Sequence, residues 1–466
     1  MPKRNLIWIL AVVAAVAVAA LVVHSASQPG RSPQPRFWAV HESYRLILQE
    51  YYSDVDSETL QQAAVDGMVQ SLDEFSRYVR PGEARQLSRR VRGTEHGLGL
   101  RWRIDDAGRV IALVPEWESP AQRAGVQWGD EMLTVDGKPL ADYPSKQLRS
   151  LLHRRDNNAP VKLTLRRAET AQVETLTLEP ADYEVQTVEG LQRGPQGRWQ
   201  YLADPEGQIA YVRIREFVPR TGQRVRQAFR RLGQASGLIL DLRDNPGGML
   251  PAAVAVSDMF LREGTIVTVR RRVGPEQIYF AQGEETVPEI PLVVLVNEQT
   301  ASAAEIVAGA LDFHARAVLV GTRTRGKGCV QSMYPLPDDL GQVNLTTSEF
   351  LVGPGRSILR RPGEDRWGVH PRAQQIQPAS REAALREARE RARARRDPAD
   401  ATTRPASEPT PSTPEEIRQE LLTADAQLAR AVDVLNDPAE YEALRRTARQ
   451  AAEQWRQEHE QTRETS

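Results

Sequence analysis

The sequence LVVLVNEQTASAAE, residues 292–305, is the strongest indication of how this chain folds. The first five residues are valines and leucines, a run that suits a strand buried in a sheet. Ser302 follows among alanines where a helix begins, and a helix N-terminus favours a developing anion. The N–H of Ala303 is well placed to donate to that anion. A serine that only caps the helix would give the same pattern, so a structural role for Ser302 stays open here.

A second stretch, residues 238–249, has the same order of strand, turn and helix start and reads LILDLRDNPGGM. Adjacent glycines leave backbone N–H groups uncovered, and two N–H groups aimed at one point can hold an oxyanion. Gly247 and Gly248 are therefore candidate donors. A Pro-Gly-Gly sequence by itself is more often only a turn.

A third stretch, residues 321–331, reads GTRTRGKGCVQ and places Lys327 between two glycines. An exposed lysine is protonated at neutral pH, whereas burial in an apolar pocket disfavours the ammonium and lowers the pKa. A neutral amine can take the proton of a serine hydroxyl. A solvated loop lysine is the alternative. A phosphate loop is excluded because it needs Ser or Thr where Gly328 stands.

Strands and helices alternate around these stretches from residue 209 to 372, which is typical of an α/β core. The predicted strands cover 209–214, 238–242, 292–296 and 317–320, and the predicted helices cover 251–260 and 303–311.

Residues 93–180 instead combine short strands with glycine turns. GLGL at 97–100 is followed by two strands around a DDAG turn and by a short helix in SPAQRAGV, residues 119–126. This order resembles a PDZ domain of bacterial proteases. The resemblance implies that the GLGL backbone receives the terminal carboxylate of a peptide, which then adds as a strand. The residues implied are Leu98, Gly99 and Leu100. A glycine hairpin without ligand is the alternative.

Together, the motifs DLR.N.GG, N..TAS..E and G..T.GKG.VQ resemble those of the carboxyl-terminal processing peptidases, also called tail-specific proteases. These are serine proteases with a PDZ domain and a Ser–Lys catalytic pair. Ser302 and Lys327 stand 25 positions apart, which agrees with the family, and the resemblance covers residues 37–372. It implies an α/β (α+β) multidomain fold with N-terminal helices, a β-rich PDZ domain, a ClpP/crotonase-like core and a C-terminal helical region.

The resemblance also implies a role for each matched residue. The nucleophile, the general base and the amide that orients the base are Ser302, Lys327 and Gln331. The oxyanion donors are Gly247 or Gly248 together with Ala303, and the supporting residues are Thr324 and Glu305. Many relatives carry a carboxylate where this chain has Phe313, with Asp312 shifted by one position, which favours Gln331 as the orienting residue.

The amino terminus carries Lys3 and Arg4 before an uninterrupted apolar run, residues 6–23, which is the pattern of an exported protein. The run has about the minimum length that spans a bilayer. We predict an uncleaved signal-anchor in the cytoplasmic membrane, with the catalytic part on the periplasmic side. Cleavage near the Ser-Ala-Ser at 25–27 is the alternative.

The chain divides into six predicted segments. They are the signal-anchor and tether (1–36), an N-terminal helical region (37–92), the PDZ domain (93–180), the Ser/Lys protease core (181–372), a low-complexity linker (373–413) and a C-terminal helical segment (414–466). The linker is rich in Arg and Ala and then in Pro and Thr, which predicts a solvated helix followed by disorder. An apolar stripe from Leu421 to Leu435 predicts docking on the body or on a partner subunit.

Composition excludes several classes of protein. The 466 residues include 61 Lys+Arg and 62 Asp+Glu, so the net charge of -1 does not favour nucleic acid as a partner. The single cysteine, Cys329, excludes a multi-thiolate metal site, and no HExxH sequence occurs, so no metal or other cofactor is expected. The mean hydropathy of -0.50 excludes a polytopic membrane protein.

These features predict an exported serine endopeptidase that recognises C-terminal tails of proteins through its PDZ domain and cuts them through an acyl-enzyme. The predicted partners are unstructured C-terminal tails and the membrane, and further candidates are a second copy bound through the terminal helices and a regulatory or adaptor protein. The alternatives are an inactive PDZ adaptor of the same fold and a crotonase-like or Clp-type acyl-transfer enzyme. Intact Ser302, Lys327 and Gln331 weigh against the adaptor.

Overall fold

A computed structural model divides the chain into two compact units between Leu72 and Asp73. The structure describes residues 37–153, 158–194, 198–203, 208–283, 287, 289–394 and 413–464. The predicted signal-anchor and tether and the Pro-rich half of the predicted linker lie outside the described residues. Within the described ranges, no helix is both long enough and apolar enough to cross a bilayer.

The described part of the first unit is a pair of helices. They are α1 (Trp38–Glu50) and α2 (Ser57–Gln70). The carboxylate of Asp56 accepts the N–H of Thr59 at 2.7 Å and caps α2. Both helices lie within the predicted N-terminal helical region.

The helical region predicted over 37–92 ends early, because residues 73–92 belong to the second unit and include a strand. Strand β1 (Arg77–Val79) precedes helix α3 (Pro81–Val91). β1 pairs antiparallel with residues 342–344. Tyr and Val favour a strand, and a proline at the first helical position starts the next helix. The prediction of helix was therefore wrong over β1.

Residues 94–184 form a small β-rich domain with an apolar core of its own. Its main sheet consists of β3 (Trp102–Ile104), β4 (Val110–Ala112), β5 (Glu131–Val135), β6 (Lys138–Pro139), β7 (Val161–Arg166) and β8 (Val173–Leu178). The domain also contains the antiparallel pair β2 (Thr94–Gly97) and β9 (Ala181–Glu184), and helices α4 (Pro120–Arg123) and α5 (Ser145–His153). The two strands around the DDAG turn and the short helix after it confirm the local predictions.

The larger domain is built on a six-stranded sheet. In spatial order, its strands are β10 (Val188–Glu189), β13 (Ile209–Ile214), β14 (Gly237–Asp241), β17 (Leu292–Val296), β18 (Val318–Gly321) and β22 (Ala373–Gln374). The pairs are parallel except that of β10 with β13. Between the strands, the chain forms the ribbon β11 (Gln192–Arg193) and β12 (Trp199–Gln200) and the helices α6 (Thr221–Phe229), α7 (Leu250–Asp258) and α8 (Ala303–Phe313).

This alternation confirms the predicted α/β core and positions two of the three motifs. β14 and β17 are neighbours, with Asp241 opposite Leu295. The carboxyl ends of parallel strands meet at one edge of a sheet, and open α/β folds bind ligands there. The turns that follow β14 and β17 therefore emerge side by side.

A second sheet, whose strand pairs are antiparallel, contains the end of the third motif. It consists of β1, β15 (Thr265–Arg271), β16 (Gln277–Phe280), β19 (Cys329–Pro335), β20 (Gln342–Val352) and β21 (Arg356–Ser357). β19 pairs with β20, and the register shifts between Val330 and Gln331. Helix α8 is buried along its whole length and shares one core cluster with β20 and the parallel sheet.

Helix α9 (Ala379–Ala394) occupies the Arg/Ala-rich half of the predicted linker. The structure differs from the predicted solvated helix because Leu385 and Ala388 are buried. The buried carboxylate of Glu390 accepts two hydrogen bonds from the guanidinium of Arg101, at 2.9 and 3.2 Å. The arginine- and glutamate-rich sequence thus provides buried ion pairs that join α9 to the β-rich domain.

The C-terminal segment continues as α10 (Pro414–Ala424), α11 (Ala426–Asn436) and α12 (Pro438–Glu464). Leu421 and Leu428 of the predicted apolar stripe are buried in one cluster with Ile239 and Val293 of the parallel sheet. The predicted stripe therefore packs on the body of the same chain, one of the two surfaces predicted for it.

Candidate active site

Ser302 has a strained backbone at the junction of β17 and α8. Its φ of 56° and ψ of -120° lie in a region of backbone conformation that residues other than glycine rarely adopt. Such a conformation costs about 1–3 kcal/mol and persists only where its surroundings impose it. The N–H of Ala301 donates to the carbonyl oxygen of Asn245 at 2.9 Å, which ties the serine turn to the turn after β14.

The carboxylate of Glu305 joins the serine turn to the lysine loop. It is fully buried, and its Oε2 accepts the backbone N–H groups of Ser302 at 2.8 Å and Lys327 at 2.9 Å. Its Oε1 accepts the N–H of Gly326 at 2.7 Å and the hydroxyl of Thr324 at 2.5 Å. Burial raises the pKa of Glu305, and the four donated hydrogen bonds oppose that rise. The backbone N–H groups of Ser302 and Lys327 are therefore connected through a single oxygen atom, Oε2 of Glu305.

Lys327 is half-buried, in the loop before β19. Burial lowers the pKa of its ammonium, because the charged form loses water that the protein does not replace. Arg325 and Arg77 lower the pKa further, while the charge of Glu305 raises it. A lysine in this setting has a larger neutral fraction at neutral pH than one in water.

Gln331 contacts neighbours of the lysine. Its Nε2 donates to Sγ of Cys329 at 3.1 Å and to Oγ1 of Thr346 at 3.4 Å. Burial raises the pKa of the Cys329 thiol, so the residue is a neutral, buried group between Gln331 and Lys327 in sequence. The predicted orienting amide thus hydrogen-bonds to Cys329 and Thr346, which lie near the lysine loop.

The glycine turn touches the serine turn directly. A Cβ added at Gly247 would lie 2.7 Å from Cβ of Ser302 and 2.9 Å from N of Ala303, so only glycine fits there. The N–H of Gly247 donates to Oδ1 of Asn245 at 2.8 Å. Of the two predicted glycine donors, the amide of Gly248, whose φ is +131°, therefore stays the candidate.

Three buried polar residues of the DLR.N.GG motif fix the end of β14, from which the glycine turn follows. The buried guanidinium of Arg243 pairs with Asp241 at 2.6 Å and with Asp425 at 2.7 Å. Burial opposes ionisation of Asp241, but Arg243 holds the pKa of that carboxyl well below its usual range. Asn245, also buried, donates to the carbonyl oxygen of Ile214 at 2.8 Å. A polar residue directly before Pro-Gly-Gly was the available signal for Asn245.

Asp312 lies outside this arrangement. Its buried carboxylate accepts from Arg356 and from Arg372, each at 3.4 Å. Phe313 packs edge-on against Trp455 of α12, with ring centroids 5.6 Å apart. The shifted carboxylate of this chain therefore has a structural ion pair rather than a place beside the lysine.

In the GLGL segment of the β-rich domain, the leucine side chains are buried, so a ligand could contact only backbone groups. The side chains of Leu98 and Leu100 are buried in the domain core. The carbonyl oxygen of Leu98 accepts the N–H of Ala121 at 2.8 Å. Gly99 has a φ of +69°, and a Cβ there would lie 2.1 Å from Cβ of Ser119, so the loop is built around a glycine.

A strained serine at the carboxyl edge of a parallel sheet, in contact with a Gly-Gly turn, defines a serine hydrolase with an α/β core. A model of peptidase family S41 matches residues 208–371, and a model of the N-terminal domain of the activating protease CtpB matches residues 12–81.

Relatives extend the match over most of the chain. The carboxy-terminal processing protease CtpA of Bacillus subtilis is 31% identical over 330 residues, 70% of this chain and 67% of that protein. The carboxyl-terminal-processing protease of Synechocystis is 33% identical over 315 residues, 66% of this chain and 71% of that protein. This chain belongs to the carboxy-terminal processing proteases of peptidase family S41, as its motifs predicted, and is a serine-type endopeptidase.

Solved structures of related proteins also match. A photosystem II D1 C-terminal processing protease aligns with 29% identity and a TM-score of 0.43, over 73% of this chain and 86% of its own.

Proposed function

We propose that this protease cuts peptide bonds with Ser302 as nucleophile and Lys327 as general base. The observation that carries the proposal is the shared acceptor: backbone N–H groups of both residues donate to Oε2 of Glu305. The partial burial of Lys327 supports it, because a lysine base must spend time as a neutral amine.

The chemistry follows from this arrangement. The neutral Nζ of Lys327 takes the hydroxyl proton as Oγ of Ser302 bonds to the substrate carbonyl carbon. The N–H of Gly248 stabilises the oxyanion together with the N–H of Ala303, which lies at the positive end of α8. Collapse breaks the C–N bond, the leaving amine takes the proton from Nζ, and water later releases the acyl group. Gln331 fixes the lysine's neighbours through Cys329.

The substrates proposed are proteins with unstructured C-terminal tails, bound through a PDZ-type mode by the β-rich domain. The small GLGL loop supports this, since an exposed peptide strand and its carboxylate are recognised by backbone N–H groups. The side chains of Leu98 and Leu100 stabilise the loop from inside, so recognition would depend on backbone geometry.

An amidated tail tests this substrate class. Against an otherwise identical unfolded protein with a free C-terminal carboxylate, amidation should lower kcat/KM about tenfold, because hydrogen bonds to a charged acceptor are lost. Gly99→Ala should remove the difference, because its Cβ would displace Ser119. Gly108→Ala is the matched control, since Gly108 also has positive φ, at +77°, but open space around it. Equal cleavage of both tails by the wild type would refute tail recognition, and cleavage of neither would refute the proposed function.

We also propose export and anchoring through the apolar run at 6–23, with the catalytic part on the periplasmic side of the cytoplasmic membrane. Cell fractionation should find the full-length protein with the membranes, and deletion of residues 1–24 should move it to the soluble fraction. Full-length protein that stays soluble would contradict anchoring. A second copy bound through the terminal helices and a regulatory or adaptor protein stay predictions.

A further inference from the structure

An aromatic side chain from outside the three motifs lies over the proposed base. Nζ of Lys327 lies 5.6 Å from the centroid of the Phe75 ring. Phe75 is half-buried and is separated from the lysine by more than half of the chain. It enters the site on the segment that leads into β1, which pairs with β20.

A tight turn holds the ring in this place. Oδ1 of Asp73 accepts the N–H groups of Phe75 and Ser76, each at 2.7 Å, and Oδ2 accepts the Ser76 hydroxyl at 2.8 Å. Burial raises the pKa of Asp73, but these hydrogen bonds outweigh it, so the pKa lies below its ordinary value. The turn is thus held by a carboxylate that stays ionised at neutral pH.

The same turn is fixed to the sheet that carries the lysine loop. Thr346 of β20 donates its N–H to Oγ of Ser76 at 3.0 Å and its hydroxyl to Oδ1 of Asp73 at 3.2 Å. Gln331 donates to that threonine hydroxyl at 3.4 Å. One residue, Thr346, therefore connects the predicted orienting amide to the turn that carries Phe75.

We propose that Phe75 is a positioning residue of the active site: its ring covers one side of the Lys327 amine and keeps water from it. The inference rests on the proposed function of Lys327 as general base. The Asp73 turn, Thr346 and Gln331 together set the position of the ring. Phe75 does not touch the reacting atoms.

Two effects of the ring on the lysine oppose each other. An aromatic face within about 6 Å attracts an ammonium and so favours the charged form, by about 0.5–1 kcal/mol at an exposed site and by about 2 kcal/mol where water is excluded. Exclusion of water disfavours the charged form and can shift a lysine by several pKa units. At 5.6 Å the attraction is near its outer limit. Exclusion of water therefore dominates, and the ring favours the neutral amine.

The charged and titratable groups around Lys327 come from several elements. Glu305 faces it from α8, Arg325 from its own loop and Arg77 from β1, while Cys329 follows it on β19. Substitution of Phe75 leaves all four in place. A change in the titration of the lysine after that substitution would therefore report the loss of the ring rather than of a charge.

The test measures the amine directly, without proteolysis. Full-length Ser302→Ala protein is trace-labelled with acetic anhydride between about pH 6 and about pH 11, a range that brackets an ordinary lysine. Mass spectrometry then gives the labelling of Lys327 relative to the exposed Lys138. Phe75→Ala should move the Lys327 labelling midpoint to higher pH, because water reaches the ammonium.

Conservative and matched variants separate this effect from a loss of structure. Phe75→Leu keeps an apolar cover and should keep the original midpoint. Phe280→Ala, the same change at an exposed phenylalanine on β16, should also keep it. Asp73→Asn should move it in the direction of Phe75→Ala, because the turn loses its ionised acceptor. An unchanged or lowered midpoint in Phe75→Ala, or an equal rise in Phe75→Leu, would overturn the proposal.

Activity gives the second readout. In protein with Ser302 intact, Phe75→Ala should lower kcat/KM about tenfold at pH 7. At alkaline pH, where even an ordinary lysine is neutral, kcat/KM of the variant should return to the wild-type value. A merely structural role would lower activity at every pH. If the labelling midpoint moves while Lys327→Met keeps full activity, Phe75 shields the Lys327 amine from water but Lys327 is not the general base.

Discussion

Lys327→Met should lower kcat/KM for an unfolded protein substrate about 10³-fold, the range attributed to a positioned general base. Methionine has a similar length and apolar volume but cannot accept a proton. Partial burial disfavours the ammonium, so its removal should leave thermal stability unchanged or increase it. Activity is measured by the rate at which casein is degraded, and folding by the melting temperature of the same preparation.

The pH profile of the wild type is the second part of this prediction. The amine works only when neutral, so kcat/KM should fall as pH decreases through the pKa of Lys327. Because burial lowers that pKa, the fall should begin below the range of an ordinary lysine. Lys162→Met, at an exposed lysine of β7, is the matched control and should keep the wild-type rate. If Lys327→Met kept about a tenth of the activity or more, another group would have to be the base.

The parallel sheet was largely predictable because its strands are buried on both faces. Leu292–Val296 is a strand over the residues predicted, because a short run rich in β-branched residues after a proline favours a strand buried on both faces. Strand β1 was missed because three residues carry almost no periodic signal. Its partner, residues 342–344, lies far away in the sequence, and such pairing depends on the tertiary fold.

The predicted site residues fall into two groups in the structure. Ser302, Ala303, Gly247, Thr324 and Glu305 come together, because the turns after adjacent parallel strands share an edge. The contacts of Gln331 could not be predicted, since they depend on the register shift in β19. Phe75 was missed for a similar reason: its place over the lysine results from the pairing of β1 with β20.

The charge pattern of the linker did not predict that its helix is partly buried. The Arg/Ala-rich segment is typical of a solvated helix, yet Glu390 and Ala392 of α9 are buried. The sequence pattern of an arginine next to a glutamate is the same whether the pair faces water or another domain. Only the presence of Arg101 opposite Glu390 distinguishes the two, and that depends on how the β-rich domain docks.

Glu305→Gln should destabilise the protein by about 3 kcal/mol and abolish most of its activity. The four partners of the carboxylate are all donors, and a glutamine amide can accept at its oxygen only. Two buried donors would then face an NH₂ group, and each unsatisfied buried group costs about 1–3 kcal/mol. Because one oxygen of Glu305 binds both Ser302 and Lys327, the loss should separate the nucleophile from the base.

Glu298→Gln is the matched control, because Glu298 joins the same two segments from an exposed position. Its Oε2 accepts the hydroxyl of Thr322 at 2.9 Å, and an amide oxygen can replace that acceptor. Chemical denaturation should therefore give this variant a free energy of unfolding within about 0.5 kcal/mol of the wild type, as for most surface substitutions. Equal stability and equal casein degradation by both variants would show that the buried carboxylate does not hold the serine turn and the lysine loop together. A loss of activity in Glu305→Gln at wild-type stability would instead assign the carboxylate an electrostatic role, since the charge and not the connection would then be what the reaction needs.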